Sequence, residues 1–345
     1  MITSEFNTLM IARLICIGLL LCPVLVAQTS ENNPRLKAAL KIYPAADADK
    51  DGVLTLAEAM AYKVKRTGQT DQEHAQATPA PVGGERQVYK QVGDTRLSLY
   101  VYKPAGHKAD AKTPAIVFFH GGAWKAGNPS QFERQCKYFA SRGMVAVTAQ
   151  YRLTSQNQVK VEDCIEDAKS AMRWVRGHAA ELGVDPDRIA SGGGSAGGHL
   201  GACVSVIDEF DAKTDDLNVS AKPNVMVLFN PALALARDPR MSEIYLARIK
   251  ADMDAKNLRG PREKVSPLTY ASSKQAPCIM FFGTDDSLLE GAELYRTNSV
   301  KAGNSCRIVT YVDQGHGFFN LGKYYDLTLA EADKFLVSLG WLPAK

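Results

Sequence analysis

Two hydrophobic periods alternate along most of this chain. Ala115–His120 (AIVFFH) and Met144–Tyr151 (MVAVTAQY) are near-continuous apolar runs, as strands buried on both faces should be. Between them, Pro129–Gly143 carries helical spacing and stops at its glycine. Val161, Ile165, Ala168, Met172 and Val175 recur every three or four residues, which predicts one long helix from about Val159 to Leu182. Arg188–Gly193, Asn224–Asn230, Cys278–Gly283 and Cys306–Val312 read as four more short strands, and a last helix spans about Leu327–Leu339. Ahead of all these, Arg86–Pro104 alternates apolar and polar residues about Gly93-Asp94, the pattern of an antiparallel hairpin. Strands alternating with helices after a hairpin predict an α/β fold, a mostly parallel sheet with helices on both faces.

The first 85 residues follow other rules. Arg13 precedes the apolar run Leu14–Ala27 (LICIGLLLCPVLVA), which is short against the roughly 20 residues a membrane span needs. It suits the core of a secretory signal covering residues 1–27, with cleavage near Ala27 and export to the periplasm or beyond. No stable membrane span is expected. Residues 28–67 read as a small helix-loop-helix unit, 68–85 as a polar linker with Pro79, Pro81 and a glycine pair, and 86–345 as the α/β domain. Export changes the view of the cysteines. Cys16 and Cys22 leave with the signal, and the other five form no CxxC pair, so no disulfide framework is implied and buried free thiols are expected. The net charge of +4, from 41 basic and 37 acidic residues, lacks the concentrated basic runs of a nucleic-acid binder.

Candidate chemistry centres on Ser195. Gly193-Gly194-Ser195-Ala196-Gly197 fits G-x-S-x-G and lies between a predicted strand and a predicted helix, the context that motif requires. The glycines permit a turn sharp enough to push one hydroxyl out at a helix N-terminus, where the dipole favours developing negative charge. Such a hydroxyl needs a base, and the base needs an orienting acid. His316, in Asp313–Asn320 (DQGHGFFN), is the one histidine beyond Ser195 outside that serine's own helix. Of the others, His74 falls in the linker, His107 in a loop and His178 near a helix end, while His199, one turn past Ser195, reads as packing. For the acid, the strand end CIMFFGTDD offers Asp285 and Asp286; Asp286 is favoured, because the third residue after Gly283 falls over the sheet edge. Phe118–Gly127 (FFHGGAWKAG) follows a central strand, and its glycine run can turn backbone N–H groups toward an oxyanion, joined by the N–H of Ala196.

Together HGGAW, YRL, GGSAGGH, GTDD and GHGFFN resemble the α/β-hydrolase superfamily, in its hormone-sensitive-lipase-like and acetylesterase or feruloyl-esterase-like branch of carboxylesterases. The resemblance runs from about Arg86 to the C-terminus. It implies an eight-stranded sheet, the triad Ser195, Asp286 and His316, and oxyanion donors at Gly122, Ala123 and Ala196. Two departures stand out. Ala123 replaces a third glycine, and Gln150 replaces the acidic residue usual before YRL, so an ion pair to Arg152 is expected to be missing.

A second motif is independent of the first. In Asp47–Glu58 (DADKDGVLTLAE), Asp47, Asp49, Asp51, Val53, Thr55 and Glu58 occupy positions 1, 3, 5, 7, 9 and 12 of an EF-hand loop, with Gly52 at position 6. Calcium is the cofactor expected there; catalysis by a serine triad needs none. Only one such loop is present, whereas these units usually pair. The resulting expectation is an exported serine carboxylesterase that takes a small ester or acylated carbohydrate, with acetyl or other short acyl groups on plant polysaccharide favoured. Amide hydrolysis on the same triad, and a calcium-dependent binding module on a dead hydrolase scaffold, remain as alternatives.

Overall fold

The computed structural model describes residues 29–32, 36–37, 40–41, 43–55, 57–59, 61–62, 83–156, 158–252 and 255–344. The expected signal segment lies outside the described residues, as does most of the expected linker. By its internal contacts the chain divides into two units, Met1–His74 and Ala75–Lys345. Among the described residues no helix is long and apolar enough to cross a membrane.

The larger unit is built on one eight-stranded sheet in the order β1-β2-β4-β3-β5-β6-β7-β8. β1 (Glu85–Val92) and β2 (Thr95–Tyr102) form the antiparallel hairpin, and Glu85 of the expected linker already belongs to it. β2 pairs antiparallel with β4 (Val145–Ala149). β3 (Thr113–Phe119), β5 (Val184–Gly194), β6 (Val225–Phe229), β7 (Cys278–Gly283) and β8 (Cys306–Tyr311) complete a parallel sheet around β4.

The central strands are apolar throughout because successive side chains enter different cores. Ala115, Val117 and Phe119 of β3 pack into one cluster with helices α2 (Val161–Gly177) and α4 (Ala196–Val206). Ile116 and Phe118 pack into the other with α1 (Glu133–Ser141) and α7 (Gly322–Ser338). The single long helix expected over 159–182 is two: α2 ends at Gly177, and a short turn α3 (Ala179–Leu182) follows. At the break the His178 ring stacks on Trp174 and its Nδ1 lies 2.8 Å from the Trp174 carbonyl oxygen, which also accepts the His178 N–H at 3.0 Å. The last helix starts earlier than its apolar period suggested, at Gly322. Cys136, Cys164, Cys203, Cys278 and Cys306 are all buried free thiols.

Arg152 is not left without an ion pair. Gln150 turns away and its Oε1 accepts from the Ser98 N–H at 2.9 Å. The carboxylates come instead from α2: Asp167 at 2.8 Å and Glu166 at 3.0 Å, with Lys90 of β1 joining both at 2.8 Å. Burial opposes the charge on Arg152, but these acids outweigh it and hold the guanidinium firmly protonated. The network ties the hairpin edge and the segment after β4 to one helix. Asp167→Asn should leave two buried cations short of a partner and lower unfolding free energy by about 3–5 kcal/mol. Urea unfolding of the two proteins reads this directly.

The smaller unit has its own cluster of Leu36, Ala46 and Leu54. Thr29 bridges antiparallel to Thr55, the Ser30 N–H donates to the Leu54 carbonyl at 2.8 Å, and Ser30 Oγ accepts the Leu54 N–H at 3.0 Å.

Candidate active site

Ser195 stands where β5 turns into α4. Its backbone is left-handed, with φ 54° and ψ −117°, a conformation that costs a non-glycine residue on the order of 1–3 kcal/mol. The surroundings enforce it. A Cβ on Gly197 would lie 1.9 Å from the Phe119 carbonyl oxygen and 2.4 Å from that of His120, so only glycine lets the first turn of α4 seat against the end of β3. The Ser195 N–H donates to the Phe229 carbonyl at 2.9 Å, closing the turn from the β6 side.

The structure brings three distant side chains together. His316 Nε2 lies 2.8 Å from Ser195 Oγ, and His316 Nδ1 lies 2.8 Å from Asp286 Oδ2. A carboxylate only accepts, so in the neutral imidazole Nδ1 carries the proton and Nε2 is left to accept from the serine hydroxyl. The Leu288 N–H donates to Asp286 Oδ1 at 2.9 Å, so both carboxylate oxygens are engaged and the side chain is fully buried. Asp285 is exposed and makes no contact with the histidine; its N–H donates to the Gln314 carbonyl, pinning the histidine loop.

The turn after β3 runs close to Ser195: a Cβ on Gly121 would lie 3.5 Å from Ser195 Cβ. Gly122 has φ +118°, and a Cβ there would meet the Ala126 carbonyl oxygen at 2.1 Å. Ala123 and Trp124 follow with φ 51° and 60°, and the N–H groups of Lys125 and Ala126 both donate to the Gly122 carbonyl. Among the described residues none accepts the N–H groups of Gly122, Ala123 or Ala196, whereas the Gly121 N–H is taken by Gln131 Oε1 at 2.6 Å. Three unsatisfied donors beside a hydroxyl at a helix N-terminus can hold a developing oxyanion.

Three positioning residues escaped the sequence reading. Gln131 anchors the glycine run as just described. Asn230, at the end of β6, accepts the Gly317 N–H at 3.3 Å and so holds the loop that carries His316; its position at a strand end, like that of Asp286, was the available signal. His199 is more than packing. The Trp124 Nε1–H donates to its Nδ1 at 3.1 Å, which fixes the ring proton on Nε2, and Nε2 donates to the Val265 carbonyl at 2.7 Å. One buried ring thus ties the turn after β3 to the segment after α5 (Glu243–Asp252).

The acidic loop of the smaller unit is partly assembled. Carboxylate oxygens of Asp47, Asp49 and Glu58 lie within 4.8 Å of one another. Among the described residues Asp47 Oδ1 is buried with no partner, and Asp47 Oδ2 accepts the Gly52 N–H at 2.9 Å. Asp51 does not join them: its Oδ1 accepts the Val53 N–H at 2.7 Å. Thr55 and Glu58 form a helix capping box, the Thr55 Oγ1 donating to Glu58 Oε2 at 2.7 Å and accepting the Glu58 N–H at 3.2 Å. Hydrogen bonds from Thr55 and the Ala48 N–H hold the Glu58 carboxyl low, at about 2. An orphaned buried carboxylate oxygen amid hard oxygen donors suits a calcium ion.

Burial pushes the imidazoles of His199 and His120 down to about 4 from 6.5. The fold keeps both neutral where the unfolded chain takes up protons, so this stability is intact above pH 6.5 and is lost as pH falls from 6.5 toward 4. His199→Phe should make unfolding free energy about one proton less steep in that window, ~1.4 kcal/mol per pH unit, as read from urea melts across it.

Comparison with known proteins follows the same lines. A profile of the BD-FAE family matches residues 99–294, more than half of the chain. Thermogutta terrifontis esterase 2 in its apo form is 44% identical, with a TM-score of 0.72, over 78% of this chain and 100% of that one. Other structures of that esterase hold propionate or butyrate, or are phosphorylated by paraoxon. Among curated proteins, the carboxylic ester hydrolase LipN of Mycobacterium tuberculosis is 28% identical over 64% of this chain, and the arylesterase of Saccharolobus solfataricus 27% over 66%. The chain spans 60% of LipN and 75% of the arylesterase. The chain belongs to the BD-FAE family, built on the α/β-hydrolase fold.

Proposed function

We propose that this protein is an exported serine carboxylesterase that cleaves short-chain acyl esters, acetyl esters foremost, including those on acylated carbohydrate such as plant polysaccharide. The observation that carries the reading is the relay of two 2.8 Å contacts, Asp286 to His316 and His316 to Ser195, ending on a serine in left-handed backbone. In the first half-reaction His316 Nε2 takes the hydroxyl proton as Ser195 Oγ attacks the ester carbonyl. The N–H groups of Gly122, Ala123 and Ala196 receive the oxyanion, and His316 returns the proton to the departing alcohol. Water then enters by the same relay and frees the acid. Asp286 keeps the ring in the productive tautomer and offsets the imidazolium charge.

Support for short acyl groups comes from the propionate- and butyrate-bound structures of the Thermogutta esterase, and support for ester chemistry from the named hydrolases among the relatives. Export rests on the segment 1–27, and the carbohydrate on the family likeness. Ser195→Ala should lower kcat for p-nitrophenyl acetate by about 10⁶-fold while leaving the unfolding midpoint in place. Near-wild-type turnover by that variant would remove the assignment. Turnover that rises from acetate to octanoate esters would remove the short-chain reading.

We assign the loop Asp47–Glu58 as a calcium site of structural use. Asp47, Asp49 and Glu58 supply carboxylates, with the Val53 carbonyl, Asp51 and Thr55 completing the set once Asp51 swings from its turn contact. Calorimetry should give one calcium per chain with a Kd of about 10⁻⁴–10⁻³ M, lost in Asp47→Ala. EDTA should leave p-nitrophenyl acetate turnover intact.

A further inference from the structure

We infer that Cys278 and Cys306 are a redox site, at which an intrachain disulfide closes when the folded chain meets a disulfide oxidant. Cys278 opens β7 and Cys306 opens β8, and the two are direct register partners in that parallel pair. The Cys278 N–H donates to the Ser305 carbonyl at 2.9 Å, which fixes the register at its first rung. Both side chains enter the larger core cluster, whereas Ile279, the next residue of β7, enters the other. The two thiols therefore stand on one face of the sheet, and they share a hydrogen bond. Neighbouring strands lie about 4.7–4.9 Å apart, inside the roughly 4.4–6.8 Å that a disulfide spans between Cα atoms.

Closing the bond draws the Cβ atoms to roughly 3.5–4.5 Å, slightly closer than flat strands hold them. β8 can supply the difference, because it is the last strand of the sheet and pairs only with β7. The other described cysteines have different surroundings. Cys136 packs in the second core cluster, the Cys164 thiol donates to the Arg152 carbonyl at 3.1 Å, and Cys203 Sγ lies 3.2 Å from His199 Nε2.

Exposure sets the order of steps. Cys306 is 9% exposed and Cys278 1%, so an oxidant reaches Cys306 first. The hydrogen bond with Cys278 holds the Cys306 thiol below its ordinary value, and Ser299 and the Arg296 charge add to this against burial. The Cys306 thiolate attacks one sulfur of a small disulfide RSSR, forming a mixed disulfide and releasing one RS⁻. Cys278 then loses its proton to that thiolate, and its sulfur attacks Cys306 Sγ and expels the second RS⁻, which takes the proton first released by Cys306. Two protein thiols become one disulfide while one RSSR becomes two RSH. The compartment reached by the proposed export supplies such oxidants. The bridge encloses α6 (Leu289–Lys301), the crossover from β7 to β8. Asp286 follows β7 and His316 follows β8, so the bond staples together the two strands that lead to the acid and the base. Such a cross-link restricts the unfolded chain and stabilises the folded one.

The test incubates the folded protein with oxidised glutathione, then unfolds it in urea with iodoacetamide and maps the peptides by mass spectrometry. A linked Cys278–Cys306 peptide pair, two hydrogens lighter than the two thiol peptides together and released by dithiothreitol, is the expected product. The thermal midpoint should rise by about 5 °C on oxidation and return on reduction. Cys278→Ala and Cys306→Ala should each lose both the linked peptides and the shift. Full alkylation of Cys136, Cys164, Cys203, Cys278 and Cys306 after oxidation overturns the site, as does a glutathione adduct on Cys306 that never resolves or a bridge to another cysteine. A bridge that leaves the midpoint unchanged or lowers it overturns the staple. The mapping on wild type decides the matter even where a variant fails to fold. Because the oxidant is added to purified protein, each outcome is independent of export and of ester turnover.

Discussion

Between the end of β3 and the first turn of α4 there is no room for a methyl group. The carbonyl oxygens of Phe119 and His120 occupy the volume that any side chain on residue 197 would need. This one approach sets the remaining geometry. It brings the helix N-terminus up to the turn after β3, so that the open N–H of Ala196 and those of Gly122 and Ala123 belong to one neighbourhood. It also forces the left-handed backbone at Ser195, which aims the hydroxyl out of the sheet. Backbone strain of a few kcal/mol is tolerated there because the second half of β5 and the whole of α4 are buried.

Around that contact the polar groups divide their work by depth. Asp286 and His199 are wholly buried, and each has every ring or carboxylate position engaged. His316 is the half-exposed member, its side chain 29% exposed. Stiffness below and access above is the arrangement a proton relay needs, since a misplaced partner costs orders of magnitude in rate. The segment from Leu233 to Gln275 contains the helix α5 and several short turns, and the Val265 carbonyl anchors it to His199.

Local chemistry was legible in the residues, and long-range chemistry was not. The alternating and continuous apolar runs located the strands because sheet burial acts on consecutive residues. The turn motifs located Ser195, and chain order pointed to His316 and Asp286. What failed were pairings between segments far apart. Gln150 read as a lost ion pair because the acids that serve Arg152 come from the next helix, at Glu166 and Asp167. His199 read as packing because its partners, Trp124 and Val265, lie 75 and 66 residues away. The helix over 159–182 hid its break because an apolar period runs on through Gly177, while a single non-helical residue, His178, separates α2 from α3.

The smaller unit carries a quieter lesson in the pairing of Ser30 with Leu54. Leu54 is the eighth position of the acidic loop Asp47–Glu58. Here Ser30 takes both groups, the carbonyl through its N–H and the N–H through its hydroxyl, and Thr29 extends the match to Thr55. An edge satisfied within its own chain has nothing left with which to recruit a twin. At the proposed calcium site this edge is therefore closed by the chain's own residues rather than left open to a second loop.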